Sequence, residues 1–150
     1  MKVNYVNFNS DYQLEKHGNW VDLAVNEDYS MKLFDYKLLD LGIAMELPKW
    51  YKAELKPRSS TFKKFGIVQT NSIGEIDTNF SGQGDVWKFP ALCLVNSTFI
   101  EKGSRIAQFT IKLRDDAPWY MKLKSIFTNL SLVEVDILKG KNRGGFGSTG

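Results

Sequence analysis

Two side chains that carry much of enzyme chemistry are nearly missing: the chain has one cysteine, Cys93, and one histidine, His17, in 150 residues. A lone cysteine excludes an intrachain disulfide, and its setting in Ala91-Leu92-Cys93-Leu94-Val95 marks a buried strand residue. A lone histidine excludes His-rich metal sites and leaves little room for a nucleophile activated by imidazole. Any hydrolysis must therefore rest on a carboxylate, with a hard metal ion as the natural helper. Apolar runs long enough to cross a bilayer are also lacking, and Met1-Lys2-Val3-Asn4-Tyr5 has no apolar signal core. A soluble, intracellular, cytoplasmic protein with no membrane contact is expected. Charge of one sign is scarce too, since 20 basic residues face 17 acidic ones for a net +3. That balance argues against direct nucleic-acid binding, while a local basic patch could still receive a phosphate-bearing small molecule.

What is present points to a β protein. A hydrophobic fraction of 43% and scattered aromatics suit a folded chain of one domain. Helix-period segments are few. Short β-like runs are many, separated by Gly, Pro, Asn and Asp, which predicts an all-β barrel or sandwich. The clearest strands fall at 47–55, 66–69, 91–95, 105–113 and 131–136. Five of the twelve glycines lie in residues 139–150, so the expected division is a β domain over 1–137 and a flexible Gly-rich arm over 138–150.

Several stretches could carry chemistry. Gly74-Glu75-Ile76-Asp77-Thr78-Asn79-Phe80-Ser81-Gly82-Gln83-Gly84-Asp85-Val86-Trp87 reads as a hairpin whose glycines adopt special backbone angles. It offers open backbone groups, one carboxylate and an aromatic platform to a small ligand, or it is an ordinary turn with a solvated aspartate. Asp22 interrupts the strand-like run Trp20-Val21-Asp22-Leu23-Ala24-Val25, as a solvated face or a cross-strand partner. Pro57-Arg58-Ser59-Ser60 opens a short helix that ends at Gly66, with Ser59 or Ser60 as N-cap and a guanidinium beside free N–H groups, a good anion site. Arg105 to Ile111 alternates with Ile106 and Gln108 on one face and Ala107 and Phe109 on the other. Gln108 there needs a hydrogen-bond partner. Residues 113–130 form a long connection with a short helix at 121–127. It packs Trp119 and Tyr120 against the barrel or a neighbouring subunit, or serves a regulatory protein partner.

Five stretches, in this order, resemble the five motifs of the homotrimeric dUTPases (dUTP diphosphatases): Val21-Asp22-Leu23, Pro57-Arg58-Ser59-Ser60 leading to Gly66, the Gly74 to Gly82 segment, Gly103-Ser104-Arg105-Ile106-Ala107-Gln108, and Gly145-Phe146-Gly147-Ser148-Thr149-Gly150. The resemblance implies a distorted jelly-roll β-barrel that assembles as a homotrimer with shared active sites. It implies hydrolysis of dUTP to dUMP and pyrophosphate with Mg2+, which keeps uracil out of DNA and supplies dUMP. Asp77 would activate water for attack on the α-phosphorus, and Asp22 would hold Mg2+ through water. Arg58, Ser59, Ser60 and Gln108 would bind phosphates, while Asn71, Gly74, Ile76 and the ring of Phe80 would receive the nucleoside. Phe146 and Gly147 would close over uracil, and Ser148 and Thr149 would bind terminal phosphates. The family's tyrosine is Phe80 here. Its arm arginine lies at Lys141, so that Arg143, or Lys141, would reach the γ-phosphate. Two other readings stand beside this one: a dCTP deaminase-like relative, with Glu75 as the nearby glutamate it would need, and a dUTP-sensing or partner-binding module.

Overall fold

The computed structural model describes residues 1–147. Ser148, Thr149 and Gly150, of which Ser148 and Thr149 carry the phosphate-binding expectation, lie outside the described residues. The described chain runs β1 (Lys2–Asn7), β2 (Lys16–His17), β3 (Trp20–Ala24), β4 (Tyr29–Lys32), β5 (Tyr36–Asp40), β6 (Ile43–Glu46), β7 (Tyr51–Pro57), α1 (Thr61–Phe65), β8 (Ile67–Gln69), β9 (Gly74–Ile76), β10 (Lys88–Cys93), β11 (Ser97–Ile100), β12 (Arg105–Leu113), α2 (Trp119–Ile126) and β13 (Ser131–Glu134). The all-β expectation is met, and both of the short helices expected from the sequence are present.

The largest sheet has the order β2-β3-β12-β7-β9; the others are β13-β1-β6, β5-β10-β8 and β11-β4. Alternation explains β7, which buries Tyr51, Ala53 and Leu55 and turns Lys52, Glu54 and Lys56 outward. In β12 the expected alternation fails at one place. A register shift between Arg105 and Ala107 puts Ile106 and Ala107 both inside, as a β-bulge does when it adds a residue to one strand. The expected strand 47–55 also splits. Residues 47–50 are a turn in which Trp50 takes a φ of 74°, and β7 begins only at Tyr51.

The inward faces converge on Trp87 and Phe109, whose rings meet edge to face at 5.1 Å, with Leu23, Leu39, Met45, Leu55 and Phe89 around them. Burial of this much apolar surface, at roughly 25 cal/mol per Å2, is the main favourable contribution to folding. Cys93 is buried here as expected. Helix α2 differs from expectation: it starts at Trp119 rather than 121 and buries none of its residues. Trp119 and Tyr120 lie against each other at 6.3 Å and are exposed instead of packing on their own barrel.

Helix α1 ends as its sequence predicts, on Gly66 in the left-handed region with its N–H bonded to the Phe62 carbonyl. Gly66 and Gly18 share a φ of 62°, yet a Cβ on Gly66 would collide with the Val95 side chain and one on Gly18 would meet nothing within 4 Å. Gly18→Ala therefore loses only the left-handed preference, about 1–2 kcal/mol, while Gly66→Ala loses that and the space for Val95. Thermal unfolding should show the larger drop in Tm for Gly66→Ala; equal drops would mean that Val95 moves aside freely.

Candidate active site

The segment after Gly74 is not the hairpin its sequence suggests. Strand β9 is an edge strand paired with β7, with Leu55 opposite Gly74 and Ala53 opposite Ile76. Beyond it the chain turns on the Asp77 carboxylate, which accepts from the Asn79 N–H at 2.8 Å, and on the Phe80 N–H, which donates to the Asp77 carbonyl at 3.2 Å. Gly82 and Gly84 are also glycine for a different reason than predicted, because neither has a positive φ. They admit another part of the chain: a Cβ on either would run into Asn142. Gly82 forms an isolated parallel bridge with Gly140, and the Gly84 N–H donates to Asn142 Oδ1 at 2.7 Å.

Asp85 fastens this second segment. Its buried carboxylate accepts from the N–H of Gly82 at 3.0 Å, of Arg143 at 2.9 Å and of Gly144 at 2.8 Å. Burial pushes its pKa up, but the backbone N–H groups of Gly144, Arg143, Gly82 and Ser81 outweigh it and hold the carboxyl below its ordinary value. With its root so held, the arm places the Arg143 guanidinium against the Asp77 carboxylate, at 3.2 Å to Oδ1 and 3.0 Å to Oδ2. Gly145 lies on the Phe80 ring, whose Cε2 would be 3.2 Å from an added Cβ. Asp85 is the functional residue that sequence reasoning passed over. Its signal was a carboxylate directly after two closely spaced glycines and before an apolar strand.

These groups enclose a cleft of about 370 Å3 lined by Asn71, Gly74, Ile76, Asp77, Phe80 and Arg143, with Phe146 at φ 54° on its arm side. Arg143 rather than Lys141 faces it. Glu75, which a deaminase would need, is exposed and ion-paired with Lys52.

Arg58, Ser59, Ser60, Gln108 and Asp22 form a separate group. Asp22 on β3 is opposite Gln108 on β12, and its almost fully buried carboxylate binds Arg58 Nε at 3.0 Å and Arg105 Nη1 at 3.4 Å. It is thus a cross-strand ion-pair partner, one of its two expected states. Gln108 donates to the Pro57 carbonyl at 3.2 Å. Ser59 is exposed, and Ser60 holds the N-cap position of α1 without its hydroxyl capping. The helix is held instead by buried Thr61, which donates to the Ile106 carbonyl at 2.6 Å. Asp22 does not join a cage: no group of three His, Cys, Asp or Glu that could hold a metal is found among the described residues. One carboxylate already flanked by two guanidinium groups fits the contact through water that the resemblance implies for Asp22 better than direct ligation of Mg2+.

The two groups lie on opposite sides of β7. The cleft belongs to the β9 edge, whereas Arg58 reaches over β12 toward β3. Ile76 is level with Ala53, five residues or about 16 Å of strand before Arg58.

The clasp has a pH signature. A carboxyl whose folded pKa is depressed contributes stability above its unfolded pKa and loses it as pH falls through the folded value. The arm root should stay docked from neutral pH down through about 4, the ordinary carboxylate range. The amide resonances of Arg143 and Gly144 should then shift together only below it. Asp85→Ala should leave both amides undocked and exchanging freely at pH 7; persistent protection in that variant would show that the clasp is not what holds the arm.

Comparison with known proteins shows the family. The dUTPase family profile matches residues 20–150. The SPbeta prophage-derived deoxyuridine 5'-triphosphate nucleotidohydrolase YosS of Bacillus subtilis is 46% identical over 135 residues, covering 90% of this chain and 86% of its own. The deoxyuridine 5'-triphosphate nucleotidohydrolase of Rickettsia prowazekii is 38% identical over 138 residues, covering 90% and 84%. Among solved structures, a dUTPase from Streptococcus mutans superposes with a TM-score of 0.67 at 20% identity, over 77% of this chain and 98% of that one. A mutant dUTPase from phage phi11 of S. aureus, whose structure concerns the coordination of a structural Mg(II) ion, gives 0.64 at 15%, over 77% and 93%. The fold is the distorted jelly roll of these structures, and the chain belongs to the dUTPase family.

Proposed function

We propose that the protein is a dUTP diphosphatase, hydrolysing dUTP to dUMP and pyrophosphate. The observation that carries this is the cleft itself, in which one carboxylate, Asp77, stands beside an amide, an aromatic ring and an arginine. The family match and the activity named for its relatives support it.

In this reading Asn71, Gly74 and Ile76 receive the base and Phe80 lies under the sugar. A ring there leaves no room for a 2'-hydroxyl, so loss of the family's phenol spares sugar selection. Asp77 accepts the proton of the attacking water, a general-base role that needs no histidine. In the resting chain that carboxylate is capped by Arg143, so Arg143 must exchange it for phosphate oxygen as substrate enters. Charge leaves the base and appears on the triphosphate in one motion. Arg58, Ser59, Ser60 and Gln108 take the remaining phosphate charge, with Ser148 and Thr149 at the arm's end and Phe146 and Gly147 over the base. Such positioning and charge stabilisation supply most of the rate in phosphate chemistry. Mg2+, met through water by Asp22, would supply electrostatic neutralisation of the phosphates.

The sheet order supports sites shared between chains. Arg58 and Asp77 of one copy face opposite sides of β7, which favours a triphosphate that meets the two where two copies adjoin, as in the homotrimer the resemblance implies. Residues 138–150 act as the closing arm, and the exposed face of α2 is available to a regulatory partner.

Pyrophosphate release from dUTP, dCTP, dTTP and UTP in Mg2+ tests the reading. Turnover should be confined to dUTP, and Asp77→Asn should lower kcat by about 100-fold or more. Tight dUTP binding without release would instead make the protein a sensor, and consumption of dCTP would make it a deaminase relative.

A further inference from the structure

Asn71 is exposed on the cleft wall, and an amide in that position can present either a donor or an acceptor. Its orientation is not left open here. Gln69 Nε2 donates to the Leu55 carbonyl at 3.2 Å and also to Asn71 Oδ1 at 2.7 Å. A backbone carbonyl only accepts, so the Gln69 atom that faces it must be the NH2. The Asn71 atom that faces that NH2 must then be the oxygen. Polarity therefore runs from the β7 backbone through Gln69 to Asn71, whose own NH2 is left for whatever occupies the cleft.

Three features hold this relay in place. Gln69 Oε1 is buried with no hydrogen-bond partner among the described residues, an unfavourable state that fits an amide kept for what its other end does. Gly74 leaves the space: a Cβ there would be 3.2 Å from Leu55 Cβ and 3.5 Å from Gln69 Nε2. The Asn71 backbone is also pinned, its carbonyl accepting from the Ile73 N–H at 2.6 Å across Ser72 at φ 58°.

We propose that Gln69 is a positioning residue that sets the selectivity of the cleft: by occupying Asn71 Oδ1 it makes Asn71 a fixed donor, which donates to a ring carbonyl and repels a ring amine. The inference rests on the proposed role of the cleft as a base pocket. A pyrimidine with a carbonyl where cytosine has its amine finds a partner, whereas the amine meets a second donor and both are left unpaired, the situation that gives polar sites their discrimination. Removing Gln69 frees Asn71 to turn over and accept.

The test compares kcat/KM for dUTP and dCTP in wild type, Gln69→Leu, Asn71→Ala and the double variant, with Kd values for the α,β-imido analogues of both nucleotides by calorimetry. Gln69→Leu should lower the dUTP to dCTP ratio roughly tenfold or more, through a higher KM for dUTP with kcat nearly unchanged. In the Asn71→Ala background the same substitution should alter the ratio no further, because Gln69 acts through Asn71. An unchanged ratio overturns the inference, even where both substrates are turned over more slowly, since a folding defect lowers both alike. So does an equal effect in both backgrounds. Absence of dUTP turnover in wild type refutes the hydrolase reading alone, and the analogue Kd ratio then still decides the relay. Binding of neither analogue refutes both.

Discussion

The pairing of β7 on both of its edges is the constraint from which the rest follows. On one side β12 matches Gln108 to Lys56 and Ala107 to Pro57; on the other, β9 matches Gly74 to Leu55. The two carboxylates of the candidate site are positioned by these two ladders. The first carries Arg58 and its partner Asp22, and the second carries the cleft with Asp77. Backbone hydrogen bonds fix the spacing along the strand at about 3.3 Å per residue, so the two groups are held on different edges of β7. The same strand supplies the Leu55 carbonyl on which Gln69 rests, so the polarity of the cleft wall is set by the ladder as well.

The chain terminus is joined to this frame by a charge buried among amides. Asp85 binds Arg143 and Gly144 through their backbone N–H groups, which leaves the Arg143 side chain free to work elsewhere. It meets Asp77. Holding a segment by its backbone while offering its side chain to the site is a division of labour that a salt bridge to Arg143 itself could not achieve. The three glycines at the crossing, Gly82, Gly84 and Gly140, make the approach possible, since a Cβ on any of them would meet the opposing segment.

Much of this was legible in the sequence because local rules governed it. The cap at Gly66 follows from conformational preference, Cys93 in the core from its apolar neighbours, and the family from five motifs in order. What was not legible depended on contacts between residues far apart. Gly82 and Gly84 looked like turn glycines because nothing local announces that Asn142 will lie on them. The bulge at Arg105 to Ala107 broke an alternation that read cleanly as period two. Asp85 passed as one more loop carboxylate because its donors Arg143 and Gly144 lie 58 and 59 residues away. Trp119 and Tyr120 were expected to pack against the barrel or a neighbouring subunit, yet among the described residues both stay exposed.

Asp77 and Arg58 stand at different edges of β7, and the proposal built on that placement is that one substrate draws them from two copies. Mixing two variants, Asp77→Asn and Arg58→Ala, each inactive alone, tests it most directly once mass spectrometry has verified mixed assemblies. Sites shared between copies should regain about a quarter of wild-type activity in an equal, random mixture, since that share of sites draws both halves from intact residues. No recovery in verified mixed assemblies would place both residues in a site built within a single chain and contradict the account.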